Sequence, residues 1–334
     1  MKKINLGAIM ISLILMACGK SVQVETAPSY TYTVEIVDSS REIVMTNDQP
    51  WEAFALNYFN VIRVGNVWKM WYACFENYNN GDYGDNLCYA YSDDGKNWIK
   101  QLPMSIKKDN VLIKGTNSAS GWVENFVFID KNDSLTPYKI LYSALDANGN
   151  QKTFITSSVD GINWIDNKIV FNDKHDTQPS VHILDNGNYS IFLRLWNSAH
   201  NERQIGYSII TPDNQSVVSP YSILGGNLYN SAAAYLGNNS YIMFPTQFNN
   251  QTQEFLIKIA YIINGNAVLT SQDITSNLFQ GTQTKWGLVA PGLISTGNPN
   301  EYWLYYLGAS VEHNGQQQRA STYYRIKVII MPKS

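Results

Sequence analysis

Three carboxylates are placed to do chemistry. Glu52 in PWEAFAL, Glu124 in GWVENFVF and Asp176 in KHDTQPSV each stand just ahead of an apolar run of strand character. Carboxyl groups gathered in one pocket can divide acid and base work. One donates a proton to a leaving oxygen, and another activates water or attacks carbon. A third raises the pKa of the donor through its own charge. Cleavage of a glycosidic bond uses this set. A single strand-leading carboxylate more often bonds a neighbouring backbone N–H. Recurrence at the same relative position in successive units is what gives these residues chemical weight.

Other residues in the same relative positions could bind a substrate. Trp51, Trp122, Trp196 and Tyr229 offer aromatic faces, and Asn125, His175, Gln178 and Asn230 offer hydrogen-bonding groups. Arg194 interrupts the apolar segment FLRLW, where a guanidinium needs a carboxylate such as Asp176 or an anionic ligand. His313 follows the last long apolar segment but one, in SVEHNGQQQ.

The elements that must position these residues are strands. Short alternating runs are broken by Asn, Gly, Asp and Ser throughout, as in YFNVIRVGNVWKMWYACF. Five units follow one another, each about 50 to 65 residues and each an antiparallel meander of three or four strands. Repeated four-stranded units predict an all-β, five-bladed β-propeller; a large β-sandwich is the competing architecture. YTYTVEIV near the start and YYRIKVII near the end are the two candidates to complete the last blade and close the ring.

SDDGKNW at 92–98 and SVDGINW at 158–164 share Ser, Asp, Gly, Asn and Trp. Gly supplies a positive φ, Ser and Asp bond backbone N–H groups across a tight turn, and Trp buries its ring. The turn falls between the third and fourth strands of a unit, away from a central channel. Asp94 and Asp160 therefore read as turn-shaping groups, and the channel mouth is expected where the innermost strands begin.

Charged residues are 15% of the 334-residue chain and aromatic residues 13%, with 22 Tyr and 9 Trp. That balance argues against disorder and suits sheets, whose pleated faces take up most of the rings. The remainder could stack on sugars. With a net charge of −3 and no long basic run, nothing points to nucleic acid. Zinc-spaced His/Cys clusters, a Gly-rich phosphate loop and a Gly-x-Ser-x-Gly elbow are all missing from the sequence.

At the N-terminus, Lys2 and Lys3 precede an apolar stretch too short to span a bilayer, which ends in Leu15-Met16-Ala17-Cys18. The stretch resembles a bacterial lipobox with Cys18 as the acylated residue; an ordinary secretory signal is the alternative. Residues 1–17 are then a signal peptide, 18–30 a tether and 31–334 a single propeller domain. The expectation is an exported, membrane-anchored monomer, facing the periplasm or the cell surface. Cys74 and Cys88 lie on apparent neighbouring strands, as a disulfide or as two buried thiols.

WKMWYACF…LCYAYSDDGKNW and YKILYSAL…FITSSVDGINW resemble the blades of five-bladed propeller glycosidases of glycoside hydrolase families 43, 32, 117 and 130. The resemblance implies a glycosidase acting on plant or algal polysaccharide, with a non-catalytic glycan-binding propeller as the alternative. By similarity to the inverting members, Glu52 is the base, Glu124 the pKa modulator and Asp176 the general acid. No cofactor is required. A channel cation such as calcium, beside a blade-five His in the position of His313, is a further implication.

Overall fold

Every strand neighbour in the sheets is antiparallel, and each sheet is built almost wholly from strands consecutive in the chain. Local pairing of this kind follows from the turn residues that break the alternating runs. The computed structural model describes residues 32–76, 85–102, 110–113, 125–146, 148, 150–172, 179–229, 232–249, 251–252, 254–263, 265–310 and 321–332.

The first strand, β1, spans Tyr32–Thr46. Blade one follows as β2 (Ala55–Val64), β3 (Val67–Phe75), β4 (Asp85–Ser92) and β5 (Val111–Ile113). Blade two is β6 (Asn125–Ile129), β7 (Tyr138–Leu145), β8 (Gln151–Ser158) and β9 (Trp164–Phe171). Blade three is β10 (Ser180–Ile183), β11 (Tyr189–Asn197), β12 (Glu202–Ile210) and β13 (Ser216–Leu224). In blade four the second strand is broken into β15 (Ser240–Met243) and β16 (Thr246–Phe248), which both pair with β17 (Phe255–Ile263) between β14 (Ala233–Gly237) and β18 (Asn266–Asp273). Blade five has a broken inner strand, β19 (Trp286–Val289) and β20 (Ile294–Ser295), then β21 (Glu301–Ala309) and β22 (Ser321–Pro332). These five sheets form the expected five-bladed β-propeller.

The ring closes through the first strand. Tyr32 pairs with Pro332 and Thr46 with Thr322, so β1 is the outer strand of blade five and YYRIKVII is its third. Pairing the first and last described strands in one sheet removes the free edges that an open ring would leave. A second feature concerns blade one. After its repeated turn only Ile99 bridges back to Tyr91, and the fourth strand itself is Val111–Ile113.

A polar contact spans each blade interface. Trp71 Nε1 donates to Gly161 O at 2.7 Å, joining blades one and two, and Tyr189 OH donates to Asp130 between two and three. Ser190 Oγ and Tyr241 OH lie 3.0 Å apart between three and four. Tyr306 OH donates to Leu278 O at 2.8 Å between five and four, and Tyr305 OH to Gly95 O at 2.7 Å between five and one.

Two of these clasps use the repeated turn. Ser92 Oγ accepts the N–H of Gly95 at 2.9 Å, and Asp94 Oδ1 accepts the N–H groups of Lys96 and Asn97 at 2.8 Å each. Ser158, Gly161, Asp160, Ile162 and Asn163 repeat those bonds, at 2.8–2.9 Å. Gly161 has φ +80°, and a Cβ there would lie 2.7 Å from the Trp71 ring. The turn is thus the surface on which the preceding blade rests. Burial pushes the Asp160 carboxyl up, but the N–H groups of Asn163 and Ile162 and the Asn163 side chain bring it down to about 2. Asp94 is held low by the equivalent bonds against the same burial.

Cys74 on β3 and Cys88 on β4 form a disulfide with Cα atoms 6.0 Å apart. This decides between the two states left open by the sequence. Both residues are fully buried.

Candidate active-site face

The innermost strands β2, β6, β10, β14 and β19 all begin at one face of the ring, called here the front. The turns that follow β2, β6, β10 and β14 lie at the back, as do the two repeated turns. Segments leading into the inner strands therefore shape the front mouth, as do the connections between second and third strands. Glu124, Asp176, Trp122, His175, Gln178, Asn230, His313 and the lipidation candidate Cys18 lie outside the described residues.

Glu52 closes a single 3-10 turn, Pro50–Glu52, on the segment running from β1 to β2. Pro50 pre-sets the turn, and Glu52 reaches back to its start. Glu52 Oε2 accepts the N–H groups of Asp48 at 3.2 Å and Gln49 at 3.3 Å, and the Lys100 ammonium at 2.7 Å. Its Oε1 accepts the Tyr72 hydroxyl at 2.6 Å. The side chain is 0% exposed. A water-activating base needs water at one of its oxygens, and in this arrangement the Glu52 side chain has no exposed surface. Among the described residues four donors occupy its two oxygens. The carboxylate does what buried charges must do, which is to be paired and bonded on all sides.

The network extends outward from Glu52. The Asn110 amide donates to Tyr72 OH at 2.6 Å, and Trp51 Nε1 donates to Asn110 Oδ1 at 2.6 Å. Burial foremost, then the Glu52 charge, pushes the Tyr72 phenol well up, so it stays a neutral donor. Trp51 is half-buried and packs against the core, so it anchors the segment. Lys100, Tyr72 and Asn110 were not singled out from the sequence, because a buried ion pair joining distant segments has no local signature. Asp48 accepts a bond from the same Lys100 at 2.7 Å while its side chain stays 59% exposed. Burial raises its carboxyl, but Lys100 and Gln49 outweigh that and hold it low.

A second group forms where blade three meets blade four. Trp196 near the end of β11 is the direct register partner of Arg203 near the start of β12. The Arg203 guanidinium lies 5.4 Å from the Trp196 ring centre and 4.5 Å from that of Tyr229, and it donates to Tyr229 OH at 2.7 Å. Arg194 donates to Tyr229 O at 3.0 Å, with its guanidinium 5.2 Å from the same ring. Arg194, Trp196 and Tyr229 are thus brought together as a set. Their exposures divide the roles: Arg194 and Tyr229 are buried, while Trp196 is 46% exposed. Tyr229, expected as a sugar platform, supports the two guanidiniums. Trp196 keeps an exposed aromatic surface. Arg203 was missed by sequence reading, although its place directly after a front-face turn opposite Trp196 was the available signal.

Asn125, the first residue of β6, is buried. Among the described residues no group of three or more His, Cys, Asp or Glu is placed to hold a metal ion.

No family model matches the chain, and no curated protein matches it. Solved structures do. The α-L-arabinofuranosidase of Podospora anserina, solved in complex with cellotriose, aligns with a TM-score of 0.57 at 16% identity, over 85% of this chain and 94% of that one. The β-1,2-mannobiose phosphorylase of Listeria innocua aligns with a TM-score of 0.59 at 12% identity, over 85% and 94%. The endo-arabinase of Bacteroides thetaiotaomicron aligns with a TM-score of 0.55 at 13% identity, over 85% and 96%. The fold is that of the five-bladed glycosidase propellers. The alignment spans nearly the whole of each relative, so the likeness is one of complete propeller domains.

Proposed function

We propose that the protein is a glycoside hydrolase acting on plant or algal polysaccharide or its fragments at the front face. The observation that carries this reading is the front of the ring itself. Inner strands β6 and β10 begin just after Glu124 and Asp176, and the exposed Trp196, backed by Arg203, stands at the blade three–four junction on the same face. With Glu52 committed to its ion pair, Glu124 and Asp176 supply the acid and base, and Glu52 positions the segment leading into blade one. Trp196 and Arg203 receive sugar rings and hydroxyl groups. Export as a lipoprotein through Cys18 is part of the same proposal, since polymeric glycans are met outside the cell.

A second reading, glycan binding without hydrolysis, is favoured by the enclosure of Glu52, which leaves blade one without an available base. Product analysis on a panel of plant and algal polysaccharides separates the two. Hydrolysis predicts sugar release by the wild type and a loss of about a hundredfold or more in Glu124→Gln and Asp176→Asn. Binding of a panel member without any release would leave the second reading standing.

A further inference from the structure

On the back of the ring, between blades three and four, lies a cleft of about 660 Å³. Its volume is that of a small-ligand site. Tyr241 forms its floor, buried and bonded to Ser190. Tyr207 lines the same cleft. Tyr221 completes the wall, 46% exposed, with its ring centre 5.9 Å from that of Tyr207 and the planes at 81°. Ile209, Ile223 and Ile262 also line the cleft.

The rim is polar and comes from hairpin tips. Asp185 and Asn186 lie in the turn after β10, and Asn239 in the turn after β14 at φ +52°. Asn186 is exposed, and its Oδ1 accepts the N–H of Asn188 at 3.1 Å. Asp185 is exposed, and it takes part in no hydrogen bond or ion pair among the described residues. Among the described residues lining the cleft there is no Lys or Arg.

We propose that this cleft is a second glycan site, taking one or two units of a neutral sugar chain on the face opposite the front mouth. A sugar ring has an apolar C–H face and a girdle of hydroxyls that both donate and accept. Tyr221 and the isoleucines offer the apolar surface. Asp185 accepts, and the amides of Asn186 and Asn239 donate and accept. An anionic sugar meets an uncompensated carboxylate here and is disfavoured. A cationic ligand would use the acceptors alone and leave the amide donors idle. The inference rests on the carbohydrate part of the functional reading and not on hydrolysis. Its value to the protein is retention, since a polymer held at the back stays close while the front works.

Affinity electrophoresis of the full chain in gels containing xylan, arabinan, mannan or polygalacturonate tests it. The wild type should be retarded by at least one neutral polymer and not by polygalacturonate. Tyr221→Ala and Asp185→Ala should weaken that binding about tenfold at unchanged melting temperature. Tyr221→Phe, which keeps the ring, should bind like the wild type. The inference is overturned by absence of retardation in every neutral gel, by retardation that both alanine variants retain, by preference for polygalacturonate, or by displacement with choline. Failure of the hydrolase reading looks different. A protein that releases no sugar yet shows Tyr221-dependent retardation refutes hydrolysis and sustains the second site.

Discussion

Lys100 Nζ lies 2.7 Å from Glu52 Oε2, with Glu52 fully buried and Lys100 9% exposed. The pair ties the segment leading into blade one to the fourth-strand region of the same blade. Removing one partner of such a pair leaves a bare buried charge. Lys100→Met should therefore cost about 3–5 kcal/mol of stability. Adding Glu52→Gln should recover much of that loss. Urea denaturation of the four proteins of this cycle measures the coupling, and a coupling near zero would show that the two charges are not interdependent.

Gly161→Ala and Gly65→Ala separate two costs of replacing glycine. Both positions have positive φ, +80° and +61°, but a Cβ at Gly161 meets the Trp71 ring at 2.7 Å whereas at Gly65 nothing lies within 4 Å. The Gly65 change should cost about 1–2 kcal/mol from backbone strain alone. The Gly161 change adds overpacking of about 1–3 kcal/mol and weakens the bond from Trp71 to Gly161 O. Chemical denaturation midpoints should rank the two variants in that order; equal losses would remove the clasp from the account.

Acid stability should report on the repeated turn. The Asp160 carboxyl falls from its ordinary 3.8 to about 2 in the folded chain. A depressed folded pKa contributes stability in full above the unfolded value, and that contribution is lost as pH falls through the folded one. Wild-type stability should therefore decline between pH 3.8 and about 2, with a shallower decline in Asp160→Asn. Denaturation midpoints across that window check the slope.

The disulfide closes a loop of sequence separation 14. Cys74→Ala with Cys88→Ala should lower stability by about 2–4 kcal/mol, mainly by freeing the unfolded chain. Thiol labelling of the denatured wild type should detect neither residue before reduction.

Much of the fold was legible in the chain because propeller blades are local. Each meander pairs neighbours in sequence, so alternation and turn chemistry were enough to count five blades and to place SDDGKNW between a third and a fourth strand. The Ser–Asp–Gly hydrogen bonds of that turn involve residues within three positions of one another, which is why types and spacing alone could assign them. Its inter-blade role was partly hidden. The glycine of the motif receives Trp71 or Tyr305 from the blade before it.

What the sequence determined, then, is the repeat: an all-β chain, its blade phase, and a set of strand-leading carboxylates. The closing strand, the disulfide and the state of Glu52 were decided only in three dimensions. A carboxylate ahead of a strand reads the same whether it faces a channel or a lysine. The difference lies in Lys100 and Tyr72, 48 and 20 residues away in sequence, whose approach excludes water from Glu52. Electrostatics acts through space and burial, and neither is written in the spacing of residues along a chain.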